Sequence, residues 1–166
     1  MNDTLVPERQ ASLAWSDALL LELDFMDDTH REFVELLGAV ETASDDHLID
    51  CFRMLVEHTD AHFGGEDRWM AATQFAASHC HTTQHNVVMQ VLHEALKRGQ
   101  AGDLALLREL SRELGIWFTQ HAQTMDAALA QYLRQVGFDP VTGSMRHPDA
   151  WTEGAMHACG ESSCGT

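Results

Sequence analysis

The chain has 166 residues, enough for one domain with a proper core. Acidic residues outnumber basic ones by 26 to 10, and Lys97 is the only lysine, which argues against nucleic acid or an anionic membrane as a partner. No apolar run is long enough to span a bilayer, and Met1 to Gln10 has neither the basic start nor the apolar core of a signal peptide. Cys51 and Cys80 fall inside helical patterns, while Cys159 and Cys164 fall near the C-terminus. That is not the layout of a secreted disulfide framework, and a reducing cytoplasm with free thiols is the simpler expectation.

Residues 1–27 read as an extended N-terminal arm, apolar at Trp15, Leu19, Leu20, Leu21, Leu23 and Phe25 but without clean helical spacing. Asp27 and Asp28 offer N-cap chemistry for a first helix whose inner face is His30, Phe33, Leu37 and Val40. A second helix is expected from about Asp46 to Thr73, with the stripe Leu48, Phe52, Leu55, Thr59, His62, Glu66 and Met70. Gly64 and Gly65 interrupt it, each at a cost of up to about 1 kcal/mol relative to alanine. They allow a close approach or a bend beside the site, or are simply a tolerated local weakness. A third helix from about Ser78 to Arg98 aligns His81, His85, Val88, Leu92 and Leu96, with Gly99 as its stop. Asp103 can cap a fourth, which runs to about Gln135 with the stripe Leu107, Leu114, Trp117 or Phe118, His121, Met125 and Leu129. Gly137 and Pro140 end it, and residues 137–166 are expected to form an irregular, mobile tail. The fold class is all-α: an antiparallel up-down-up-down four-helix bundle over 28–136.

Eleven histidines are many for this length, and five of them lie on the inner stripes. His62 and Glu66 are one turn apart, as are His81 and His85, so each pair leaves one helix face together. His121 and Asp126 are five residues apart, about 140° out of phase on a regular helix. Either Asp126 reaches across or the fourth helix widens into a π-type turn. With alternating helix directions, His30, His62, Glu66, His81, His85, His121 and Asp126 meet at one level of the bundle. Seven polar groups in an apolar interior each need a partner, and metal coordination supplies all of them. Five imidazoles and two carboxylates exceed one tetrahedral zinc and suit two six-coordinate ions bridged by the carboxylates. His58 is a rival ligand by spacing from His62, but it sits a turn further from Glu66 and reads as a packing or supporting residue. His47, His79 and His93 read as solvated or hydrogen-bonded.

Four stretches carry a resemblance: Met26-Asp27-Asp28-Thr29-His30, His62-Phe63-x-x-Glu66-Asp67-x-x-Met70, His81-x-x-x-His85 and Trp117-x-x-x-His121-x-x-x-x-Asp126. Over roughly Trp15 to Gly137 the chain resembles the bacterial hemerythrins, non-haem di-iron, oxygen-binding four-helix bundles. The resemblance implies that His81, His85 and His121 hold one iron and His30 and His62 the other. Glu66 and Asp126 then bridge the two beside an oxo or hydroxo group, and dioxygen binds reversibly on the His30/His62 side. Phe33, Phe63 and Trp117 are expected to wall that pocket. Thr29, Asp67, Phe75-Ala76 and Ala122 depart from the family pattern without removing a ligand, and they bear on pocket shape. Oxygen storage, delivery or buffering is the leading expectation. The alternatives are a sensor acting on a separate protein through the arm or tail, and a di-iron peroxidase or nitric oxide scavenger. His157, Cys159 and Cys164 suit a free-thiol tail, an incomplete second metal site or a reversible Cys159–Cys164 disulfide.

Overall fold

A computed structural model describes residues 10–150. Four helical rods account for nearly all of it. Helix α1 spans Asp24–Thr42, α2 Asp45–Thr73 and α3 Ser78–Gln100. The fourth rod is composite: α4 (Leu104–His121), a π turn (Ala122–Asp126) and α5 (Ala127–Val136) follow one another without leaving right-handed helical backbone. The joins Ala43-Ser44, Gln74 to Ala77 and Ala101 to Asp103 are too short for anything but immediate reversal, so consecutive rods run antiparallel. α1 packs on α2, α2 on α3, α3 on α4 and α4 back on α1, which closes the bundle. Among the described residues, no helix is long and apolar enough to cross a membrane.

The apolar stripes divide into two cores. Phe33, Leu37, Val40, Leu48, Phe52, Leu55, Leu92, Leu107, Leu114 and Phe118 fill one half of the bundle. Met26, Met70, Phe75, Leu129, Tyr132, Leu133 and Val136 fill the other end. A buried polar layer containing all seven candidate ligands lies between them.

Several boundaries differ from the expectations. The first helix begins at Asp24, within the stretch read as arm, and Asp27 does not cap it. The Asp27 carboxylate is buried and accepts backbone N–H groups from Leu21 (2.7 Å) and Leu23 (3.1 Å). It thus satisfies donors of the incoming chain, whereas an N-cap serves its own helix. The rest of the arm is strapped down in the same manner. Glu41 accepts from Ser12 N and Oγ, and the Arg134 guanidinium donates to the Leu21 carbonyl. α2 runs unbroken through Gly64 and Gly65, so no break occurs there. Gly99 is not the stop of α3 but lies inside it, where a Cβ would come within 2.5 Å of Leu107 Cδ1. Close approach of α3 to α4, not backbone freedom, requires glycine at that position. The reversal falls at Gly102, whose φ of +106° suits glycine. Asp103 does cap α4, accepting from Leu106 N at 3.2 Å.

Residues 137–150 are more ordered than a loose tail. Gly137, in the left-handed region at φ +60°, closes α5, and Phe138 N donates to the Leu133 carbonyl at 2.9 Å. The chain then turns back, so that Phe138 and Met145 form an antiparallel bridge and pack with Phe75 against the bundle end. His157, Cys159 and Cys164 lie outside the described residues, as does any disulfide between the last two.

Candidate metal centre

Each rod brings its share to the polar layer because of its register. His30 lies two turns into α1, His62 and Glu66 lie late in α2, His81 and His85 early in α3, and His121 and Asp126 bracket the π turn. That turn decides whether Asp126 takes part. The Ala127 N–H donates to the Ala122 carbonyl, five residues back, so one extra residue is accommodated. Regular α-helix would turn Met125 inward one turn after His121. With the extra residue Met125 is only half-buried and Asp126 is fully buried. Of the two alternatives left by the five-residue spacing, a side chain reaching across or a local widening, the second is present.

The seven side chains meet. Their ligand atoms form two overlapping groups, Glu66/His81/His85/His121/Asp126 and His30/His62/Glu66/Asp126, with all atoms of a group within 4.8 Å of one another. The carboxylates belong to both groups, and each divides its oxygens between them. Glu66 Oε1 faces His62 Nε2 at 3.0 Å and His30 Nε2 at 3.8 Å, while Oε2 faces His81 and His85 Nε2 at 3.4 Å each. Asp126 Oδ2 faces His30 Nε2 at 3.2 Å, while Oδ1 faces His81 at 3.0 Å and His121 at 3.1 Å. His81 and His121 also bring their Nε2 atoms to 3.1 Å, and His85 and His121 to 3.3 Å. Nitrogens with inward lone pairs converging this closely are the donor set of a cation site.

Protein partners alone leave this layer short. His30 Nε2, Glu66 Oε2 and both Asp126 oxygens are buried with no hydrogen-bond partner. Such groups are costly unless something else satisfies them. Burial by itself lowers His30 and His81, but Asp126 and Glu66 outweigh it and raise both to about 9. Burial pushes Glu66 and Asp126 up, and the surrounding imidazoles, foremost His62 for Glu66 and His121 for Asp126, hold both well below the usual carboxylate range. The two carboxylates thus favour positive charge in this layer, and the orphaned atoms and two-way carboxylates fit a pair of ions.

Supporting groups surround the ligands. The Asp67 carboxylate faces His85 Nδ1 at 3.0 Å and accepts from Thr82 Oγ1 at 2.7 Å, while Gln84 Oε1 lies 3.2 Å from His121 Nδ1. A proton on each Nδ1 leaves Nε2 free to bind metal, and it fixes the ring orientation. Sequence reasoning noted Asp67 only as a departure and missed Gln84. The available signal was their place one position beside, respectively, Glu66 and His85. His58 is not in either group. Its Nε2 lies 3.1 Å from the Thr29 carbonyl and its Nδ1 3.7 Å from Glu32, which ties α2 to α1. His47 is exposed beside Ser44 Oγ, and His79 and His93 are exposed.

The sequence-similarity findings agree with this geometry. The family described as hemerythrin HHE cation binding domain matches residues 21–133. The chain belongs to that family. A bacteriohemerythrin of Ralstonia nicotianae is 38% identical over 127 residues, covering 76% of this chain and 93% of that protein. Bacteriohemerythrins of Stenotrophomonas maltophilia (28%) and Pseudomonas paraeruginosa (27%) each align with 75% of this chain and 83% of their own length. In this hemerythrin domain, aromatic rings wall the ligands. Phe63 stacks on His85 with ring centres 4.0 Å apart, Trp117 stacks on His121 at 4.4 Å, and Phe118 meets His30 edge-on at 5.1 Å. Phe118, backed by Phe33, is the inward member of the Trp117/Phe118 pair.

Cavities flank the hemerythrin centre on both sides. One of about 300 Å³ reaches His62 and Glu66 between Met26, Thr29, Glu32, His58, Arg68 and Trp69. Phe33, Phe63 and Trp117, expected to line that side, are not among its walls, because Phe33 and Phe63 face inward and Trp117 lines the other cavity. That second cavity, about 570 Å³, reaches His81 and His121. Cys80 lies on its rim and is disulfide-bonded, contrary to the expectation of free thiols, while half-buried Cys51 is free.

Proposed function

We propose that the seven residues hold two iron ions and that the protein binds dioxygen reversibly on the His30/His62 side. The division of Glu66 and Asp126 between two imidazole groups carries this reading, since a carboxylate with one oxygen toward each of two sites is a bridge. His81, His85 and His121 serve one site, and His30 and His62 the other. The second has one imidazole fewer, which leaves a position for a small ligand. A pair of irons with an oxo or hydroxo bridge supplies reversible two-electron chemistry toward dioxygen. The protein's own part is to orient and to enclose. Asp67 and Gln84 fix two imidazoles, Phe118, Phe63 and Trp117 exclude water, and the cavity beside His62 gives a small molecule its approach. We read it as a binding protein rather than an enzyme, in keeping with the cation binding family that matches it. We place it in the cytoplasm, where dioxygen storage, delivery or buffering would take place.

The test is optical. Iron-loaded protein, reduced without oxygen, is exposed to air and then purged. A visible band that rises with air and falls on purging, at two irons per chain, is the expected result. A single irreversible change, or one iron per chain, overturns the proposal.

A further inference from the structure

We propose that Asp27 and Gln123 are positioning residues for the metal centre, which hold His30 on α1 against Asp126 on the fourth rod through residues 18–23. This rests on the reading of His30 and Asp126 as metal ligands. The two side chains face each other across the buried layer, with His30 Nε2 and Asp126 Oδ2 3.2 Å apart. His85 and His121 are each oriented by a partner at Nδ1, Asp67 and Gln84 respectively. His30 is not. Among the described residues, neither of its ring nitrogens has a hydrogen-bond partner, and neither Asp126 oxygen has one. Their mutual placement therefore depends on how α1 and the π turn are held relative to each other.

Residues 18–23 touch both elements. Toward α1, the buried Asp27 carboxylate, in the turn just before His30, accepts from Leu21 N at 2.7 Å and Leu23 N at 3.1 Å. Glu22 between them has φ +57°, a left-handed conformation that a residue with a side chain keeps only where its surroundings over-determine it. Toward the fourth rod, Gln123 in the π turn donates from Nε2 to the Ala18 carbonyl at 3.2 Å, and Arg134 donates to the Leu21 carbonyl. Leu21 thus gives its N–H to one rod and its carbonyl to the other. Leu19 is buried in the core that holds Phe33, Phe118 and Ala122. The short turn Asp17–Leu19 also packs on the π turn itself. Widened turns are rare in helices, and this one needs such outside contacts to persist. Relaxed to regular α-helix, it would carry Asp126 out of the layer.

Cobalt(II) is titrated into metal-free, full-length protein in competition with a chelator, which reads the two affinities separately. Asp27→Asn keeps the size but offers one acceptor oxygen in place of two. Gln123→Glu keeps the shape but cannot donate to the Ala18 carbonyl. Ser12→Ala removes a donor to Glu41, about three turns beyond His30 on α1, and so loosens the same segment away from the centre. Asp27→Asn should weaken the ion on the His30/His62 side about tenfold and leave the other within about twofold. Gln123→Glu should weaken both, because Asp126 serves both groups, and Ser12→Ala should weaken neither. A general loss of stability would not sort the ions in this way. Unchanged affinities in Asp27→Asn, or an equal loss in Ser12→Ala, overturn the proposal. If the unsubstituted chain takes up no cobalt, the metal reading fails, and hydrogen exchange of metal-free protein decides the positioning. Asp27→Asn should then speed exchange of the π-turn amides several-fold, and an unchanged π turn overturns the proposal.

Discussion

Glu66→Ala removes a carboxylate that four imidazoles share. His62 and His30 face one oxygen at 3.0 and 3.8 Å, and His81 and His85 face the other at 3.4 Å each. Both candidate metal sites would lose an oxygen ligand at once. Without metal, the substitution takes one partner from a fully buried set of charges, a change worth about 3–5 kcal/mol. For a domain of this size that corresponds to roughly 10 °C in melting temperature. The assay measures iron per chain and the melting temperature of metal-free and iron-loaded protein. The unsubstituted chain should bind two irons and melt higher when loaded. Glu66→Ala should lose most of its iron and most of that increment, whereas His58→Ala should keep both, since His58 contacts Thr29 and Glu32 and belongs to neither ligand group. Full iron in Glu66→Ala with depletion in His58→Ala would mean that the second helix is assigned in the wrong register.

The remaining predictions probe different layers of the structure. In metal-free protein, His30 and His81 are raised from 6.5 to about 9 by Asp126 and Glu66 against the effect of burial. A raised pKa contributes stability that is complete below 6.5 and is lost as pH climbs toward 9, so denaturant midpoints should fall across that interval; a rise would contradict the charge arrangement. Iron-loaded protein should show little of this loss, because the ions replace the protons. Asp67→Ala takes the acceptor from His85 Nδ1 and Thr82. It should weaken metal binding about 10–100-fold in a chelator competition while the helical spectrum is unchanged. Gly99→Ala sets a Cβ 2.5 Å from Leu107 Cδ1 and 2.9 Å from its Cγ. It should cost about 1–3 kcal/mol in denaturant unfolding and leave metal stoichiometry untouched.

Legibility followed physical range. Helical periodicity and one-turn spacings are local, and they located all four rods and the buried stripes from His30 to Leu129. The π turn was legible as one of two ways in which His121 and Asp126, five residues apart, could share a face, the other being a side chain that reaches across. What failed was set by contacts distant in sequence. Gly99 resembles a helix stop until Leu107 is seen pressed against it. Asp27 looks like a cap, but its partners are the backbone of Leu21 and Leu23. The choice between Trp117 and Phe118 depended on a small rotation of the fourth rod. Residues 137–150 looked loose by composition, yet Phe138 and Met145 find a core at the bundle end. The cystine state of Cys80 has no local signal at all.

The two-faced carboxylates also dictate how the centre fills. An ion held by either group would fix Glu66 and Asp126 in the orientation its neighbour requires, so the next arrival would be spared that ordering. Thermodynamic linkage makes that assistance mutual, and a coupling of about 1–3 kcal/mol corresponds to roughly 5–150-fold in affinity. Native mass spectra recorded at half the saturating metal should therefore contain mostly empty and doubly loaded chains, with few carrying a single ion.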